Sequence, residues 1–135
     1  MKIPVDIFTY HIVHLDKSTQ LLLTDVRVLG VTACKLAHIR SLEGDALVYQ
    51  DVVFEVLAYR KRPAIDPRGR TMRVPERMRW TVRDNGAEIV SFTADVDSLL
   101  RYGHGQGYVA AYTLDGKRCS QPLNGTGHFE WVDCE

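Results

Sequence analysis

Glycine recurs at tight intervals through the last third of this 135-residue chain, close to aromatic residues. Gly103-x-Gly105-x-Gly107 leads into Tyr108-Val109-Ala110-Ala111-Tyr112-Thr113-Leu114, and Gly125-x-Gly127 leads into His128-Phe129-Glu130-Trp131-Val132. Both runs carry the residues and the alternation of β-strands. A glycine inside such a run removes a side chain where the sheet must bend sharply or where another backbone comes close. Asp115-Gly116 reads as the hairpin turn that joins the two. Bent, aromatic, glycine-relieved strands are what a small β-barrel needs at its closure, so the end of the chain points to an all-β fold.

The rest of the chain repeats the pattern. Residues 5–14 set Phe8, Tyr10 and Ile12 against Thr9, His11 and Val13, and helical periodicity is poor there. Residues 20–29 and 32–41 read as the next two strands, with Gly30 marking a bend between them. Glu43-Gly44-Asp45 supplies a turn, and residues 46–60 read as one long strand bent in its middle. Residues 60–77, rich in arginine, proline and glycine, form an exposed loop across a barrel mouth, with Asp66-Pro67-Arg68-Gly69 as its turn. Residues 78–83 and 87–96 form a hairpin around Asp84-Asn85-Gly86, and residues 97–101 fit one helical turn. About eight strands joined by short connections give a single antiparallel up-and-down barrel over residues 1–135, the size that holds one ligand.

Charge balances, with 17 acidic and 17 basic residues. Such a chain has no global pull toward nucleic acid or an anionic membrane, so neither nucleic-acid binding nor stable membrane insertion is expected. No cationic start leads into a long apolar run, so the expectation is a cytoplasmic protein without a signal peptide. Cys34, Cys119 and Cys134 are odd in number and widely spaced, which fits reduced thiols better than a disulfide framework. His11 and His14 have opposite parity on a strand, and His38 and His104 stand alone, so no metal is expected. Gly103-x-Gly105-x-Gly107 lacks the dinucleotide spacing and the following helix, so no cofactor is expected either.

The closing segment, with Gly125-x-Gly127-x-x-Glu130 after a glycine-preceded Tyr strand and the Asp115-Gly116-Lys117 sequence, resembles the closing hairpin of the lipocalin-like proteins related to hydroxyneurosporene synthase. These are carotenoid hydratases, with fungal decalin-forming cyclases among their relatives. The resemblance extends upstream through Tyr10-His11-Ile12-Val13-His14, Asp51-Val52-Val53-Phe54-Glu55-Val56 and Arg79-Trp80-Thr81-Val82. It implies a lipocalin-like (calycin) barrel that takes a hydrophobic polyene, terpenoid or polyketide and cyclises, isomerises or hydrates it without a cofactor. A non-catalytic carrier shares every one of these features. Relatives pair two barrels in one chain, so a lone barrel is expected to self-associate as a homodimer.

Candidate site residues follow from strand parity. His128 and Glu130 share one face of the last strand and Phe129 and Trp131 the other, and the sequence leaves open which face looks inward. If the inward face carries His128 and Glu130, they form a proton-transferring pair, a role in keeping with the alkene protonation that the resemblance implies. The competing reading is an ion pair at the rim. Trp80, Tyr108 and Tyr112 can wall a pocket, and core packing explains them equally well. Tyr49, Asp51, Glu55 and Tyr59 share a face of the bent strand. Asp51 and Glu55 lie about 13 Å apart along it, too far to act together, and a solvated outer face suits them better than a substrate contact. The basic run Arg60-Lys61-Arg62 with Arg68, Arg70, Arg73, Arg77 and Arg79 suits a solvated loop, with an anionic substrate tail as the alternative.

Overall fold

A computed structural model describes residues 5–29, 31–42, 44, 46–103 and 107–133. It contains twelve strands: β1 (Val5–His14), β2 (Thr19–Val28), β3 (Val31–Ser41), β4 (Ala46–Tyr49), β5 (Asp51–Tyr59), β6 (Ala64–Ile65), β7 (Thr71–Met72), β8 (Pro75–Asp84), β9 (Ala87–Val96), β10 (Arg101–Tyr102), β11 (Tyr108–Arg118) and β12 (Gln121–Asp133). There is no helix among the described residues. The main sheet runs β4-β3-β2-β1-β12-β11-β9-β8-β5, with β10 added on β11. First and last strands pair, Ile7 opposite Asp133 through Val13 opposite Gly127.

Only Gln50 separates β4 from β5, the two ends of that order, so the chain itself joins the edges. Counted as one bent strand, they make eight long strands in up-and-down sequence, the all-β barrel expected from the residue pattern. The seam is short. β4 pairs with β3 only between Ala37 and Arg40, so residues 31–36 of β3 have β2 as their one sheet neighbour. Along that half of β3 there is no ladder to β5 among the described residues.

Alternation fills the interior. Leu21 and Leu23 on β2, Val52 and Phe54 on β5, Trp80 and Val82 on β8, and Phe129 and Trp131 on β12 all point inward and are buried. Segment 60–77 is more ordered than a plain loop. It folds back as a strap with the β6–β7 hairpin, burying Ala64 and Val74 against the core.

Two sequence expectations require correction. Asp115-Gly116 makes no turn, because both residues stay in β11, paired with Asn124 and Leu123. The chain reverses four residues later at Cys119-Ser120, both at positive φ (48° and 68°), the mirror-image turn that suits sheet twist. Gly116 serves a different purpose. A Cβ there would run into the Ser91 carbonyl and Phe92 of β9, so its lack of a side chain lets β9 and β11 approach. The helical turn expected at 97–101 is absent. Instead Ser98 Oγ accepts the Ala111 N–H at 2.8 Å and leads into β10. Asn85-Gly86 is the expected hairpin turn, with φ of 50° and 82°. Gly30, Glu43, Asp45, His104, Gly105 and Cys134 lie outside the described residues, so the bend and turn expected at them are not placed. Cys34 and Cys119 are exposed free thiols.

Candidate functional site

Inward-facing residues of neighbouring strands form rows across the barrel, and the rows can be read from register. Leu21, Val13, Gly127 and Tyr112 stand opposite one another, then Leu23, His11, Phe129 and Ala110, then Asp25, Thr9, Trp131 and Tyr108, and last Arg27, Ile7 and Asp133. The lining thus changes from apolar to polar toward the end covered by the strap.

His11 is fully enclosed, with no exposed surface. Its ring is stacked on Phe129 at 5.3 Å between centroids and meets Trp80 edge-on at 5.0 Å and Phe54 edge-on at 5.7 Å. Its Nδ1 lies 2.9 Å from the Tyr112 hydroxyl and its Nε2 2.9 Å from Thr9 Oγ1. Thr9 Oγ1 donates in turn to the Glu130 carbonyl at 2.9 Å. That last bond fixes the others. The Thr9 proton is committed, so Thr9 Oγ1 accepts from His11 Nε2–H, and His11 Nδ1 accepts from Tyr112. Burial, with the like charge of His128 second, pushes the His11 pKa down to about 3, and burial also raises that of the Tyr112 hydroxyl. The chain ends on a backbone carbonyl, which has no proton to pass on. It holds ring orientations and moves no charge.

Asp25 is different. It is also fully buried, one row nearer the mouth, yet only its Oδ2 has a partner, Arg27 Nη2 at 3.3 Å. Its Oδ1 has no hydrogen-bond partner among the described residues. Arg27 is one wall of a cavity of about 300 Å³ whose other sides are Ile7, Phe54, Val56, Tyr59 and Trp131, with Glu55 at the rim. The strap closes over this region. Trp131 Nε1 donates to the Arg73 carbonyl at 2.9 Å, Arg73 pairs with buried Asp133 at 2.6 Å, and the Arg73 guanidinium lies 4.7 Å over the Tyr59 ring. Aromatic walls, a buried acid and a strap make this mouth the candidate site.

The residues expected from sequence are distributed as follows. His128 is exposed and Glu130 half-buried, both with side chains outside the barrel, because Phe129 and Trp131 take the inner face. The condition for a proton-transferring pair inside the cavity is therefore not met. His128 instead has the His14 ring at 6.3 Å on the outer surface. Trp80, Tyr108 and Tyr112 are buried and inward, with Trp80 Nε1 and the Tyr108 hydroxyl unpartnered among the described residues. Asp51 is exposed and Glu55 exposed at the cavity rim, and the structure does not bring them together. Tyr49 and Tyr59 part company with that outer face and rest against the core, Tyr59 after two register shifts around Ala58. In the basic segment, Arg70 pairs with Asp66, Arg73 with Asp133 and Arg77 with Asp95.

Sequence reasoning missed Asp25 and Arg27. The signal was present: Leu21, Leu23, Asp25 and Arg27 share parity, and a charged pair continuing an apolar stripe is where a core face becomes a site.

The chain belongs to the family of unknown function DUF6670, whose model matches residues 1–135. No curated protein matches it in sequence. Among solved structures, kievitone hydratase from Nectria haematococca is similar, with a TM-score of 0.74 and 18% identity over 96% of this chain and 40% of that one. This chain thus spans less than half the length of that protein, and what the likeness shows is the lipocalin-like fold.

Proposed function

We propose that this DUF6670 member is a lipocalin-like barrel enzyme that takes a small hydrophobic molecule into its mouth and acts on it by hydratase-type chemistry, with Asp25 as the acid–base group. The carrying observation is a fully buried carboxylate with one oxygen unpartnered among the described residues, next to an aromatic-walled cavity of about 300 Å³. The similarity of fold to a hydratase supports the reaction class.

In this reading Phe54, Tyr59 and Trp131 hold the apolar body of the substrate and exclude bulk water. Asp25 takes a proton from a water that adds to one alkene carbon and returns it to the other carbon, so alkene and water become an alcohol with Asp25 restored. Arg27 holds Oδ2 and steadies the charge left on the carboxylate. The reaction balances without a cofactor.

The substrate class is sought by native mass spectrometry of protein from its own host, followed by denaturing extraction of what it holds. Turnover of the recovered compound, or of its alkene precursor, is then compared in the natural protein and in Asp25→Asn. A loss of 10²-fold or more in kcat is expected. Unchanged kcat in Asp25→Asn would remove the acid–base assignment, and retention of ligand without product would make the barrel a carrier.

A further inference from the structure

The hydrogen bonds around Asp25 can be allotted one donor at a time. Across β1, the Thr9 hydroxyl opposite Asp25 is committed to the Glu130 carbonyl. Behind Thr9, the single proton of the neutral His11 ring is committed to Thr9 Oγ1. In the same row, the Trp131 indole N–H is committed to the Arg73 carbonyl, and Arg73 itself is engaged with Asp133. Arg27 gives its Nη2 to Oδ2. On β3, Lys35 stands opposite Asp25 in register, half-exposed, and makes no ion pair with it. None of these donors is bonded to Oδ1, which is enclosed and has no hydrogen-bond partner among the described residues. A buried acceptor without a donor costs more than the average hydrogen bond returns, so an arrangement that keeps one has a use for it.

Resting on the reading of the mouth as a binding site, we infer that its ligand is an apolar molecule bearing a hydroxyl or similar neutral hydrogen-bond donor, which enters donor-first and is held by Asp25 Oδ1. Ile7, Phe54, Val56 and Trp131 give the cavity an apolar side for the body of the ligand, Arg27, Glu55 and Tyr59 bring its polar groups, and Asp25 adjoins it through its contact with Arg27. A neutral donor suits Asp25 better than a cation because the Arg27 guanidinium already balances the carboxylate charge. A carboxylate or phosphate ligand would meet Asp25 with like charge. The mouth therefore discriminates by one hydrogen bond made beside an apolar side, which disfavours an otherwise identical molecule lacking the donor.

Two probes of the same shape test this: 1-naphthol, which has the donor, and 1-methylnaphthalene, which does not. Binding of each is measured by calorimetry to the natural protein, to Asp25→Leu, to Asp25→Asn, and to Asp51→Leu as an exposed-carboxylate control. The natural protein should bind 1-naphthol at least about tenfold more tightly, as a hydrogen bond to a buried carboxylate predicts. Asp25→Leu should bind both probes alike, Asp25→Asn should keep part of the preference, and Asp51→Leu all of it. Should Asp25→Leu fail to fold, Asp25→Asn carries the comparison alone. Equal affinity of the natural protein for both probes would overturn the donor inference and leave the apolar binding site standing. Failure of both probes to bind would overturn the site itself.

Discussion

At the scale of single residues, counting hydrogen bonds separates two buried polar groups of the barrel interior. His11 has both ring nitrogens satisfied, whereas Asp25 has one oxygen left over. The enclosure of His11 has a pH signature. Its native pKa, about 3, lies below the unfolded value of 6.5, so folding favours the neutral ring. The unfolded chain binds the extra proton between these values. This contribution is complete above about pH 6.5, falls as the solution is acidified, and levels off below about pH 3. From pH 6.5 to pH 4 it should weaken folding by about 3 kcal/mol, read from urea midpoints, and that part of the pH dependence should vanish in His11→Gln. Gly127 makes the second residue-scale case. A Cβ there would sit 2.6 Å from Tyr112 Cε1 and 3.0 Å from the Ile12 carbonyl. Gly127→Ala should push the Tyr112 ring off His11 Nδ1 and cost about 1–3 kcal/mol, as overpacking does, measured by chemical denaturation.

At the scale of elements, the closing hairpin shows how far a local motif can be trusted. Aromatic alternation placed β11 and β12 correctly, but the Asp115-Gly116 dipeptide is strand, and Cys119-Ser120 adopts the positive φ values instead. Two requirements competed for the glycine. A left-handed turn wants one for its backbone, and the close crossing of β9 and β11 wants one for its missing Cβ. The crossing took it, since no other residue fits against Ser91 and Phe92, whereas Cys and Ser tolerate the turn at a modest cost. Ser120→Gly should therefore stabilise the protein by about 0.5–1 kcal/mol, seen as a raised Tm. Gly116→Ala should do the reverse. The bent strand of residues 46–60 was legible as a strand and as bent; that the bend divides it between β3 and β8 was not, because pairing partners are set far away in sequence.

At the scale of the whole molecule, closure is achieved by the first strand meeting the last and by one bent strand carrying the chain from edge to edge. The strap then covers the mouth, held by Arg73 through Asp133, Trp131 and Tyr59. Asp133 is almost wholly buried, so Arg73→Ala leaves a buried carboxylate weakened in its pairing. A loss of about 2–4 kcal/mol is expected, with faster amide exchange along residues 60–74 than in the barrel strands. Unchanged exchange there would show that the strap is held by its apolar contacts alone.

The sequence by itself determined the class of this fold, because alternation, β-branched and aromatic enrichment and hairpin turns are local, and each strand carries its own two-residue period. It also marked Trp80, Tyr108 and Tyr112 as aromatics for either a pocket wall or the core, and all three are buried in the core, since large aromatics on an apolar face bury themselves wherever the barrel closes. What only the tertiary structure decided was which face of each strand looks inward and which polar groups meet there. Parity is symmetric until a partner strand breaks it, so His128 and Glu130 were as eligible for the interior as Phe129 and Trp131 until β1 and β11 paired with β12. Asp25 becomes distinctive only when Thr9, His11, Arg27 and Trp131, drawn from three strands, are brought around it with their own hydrogen bonds already made.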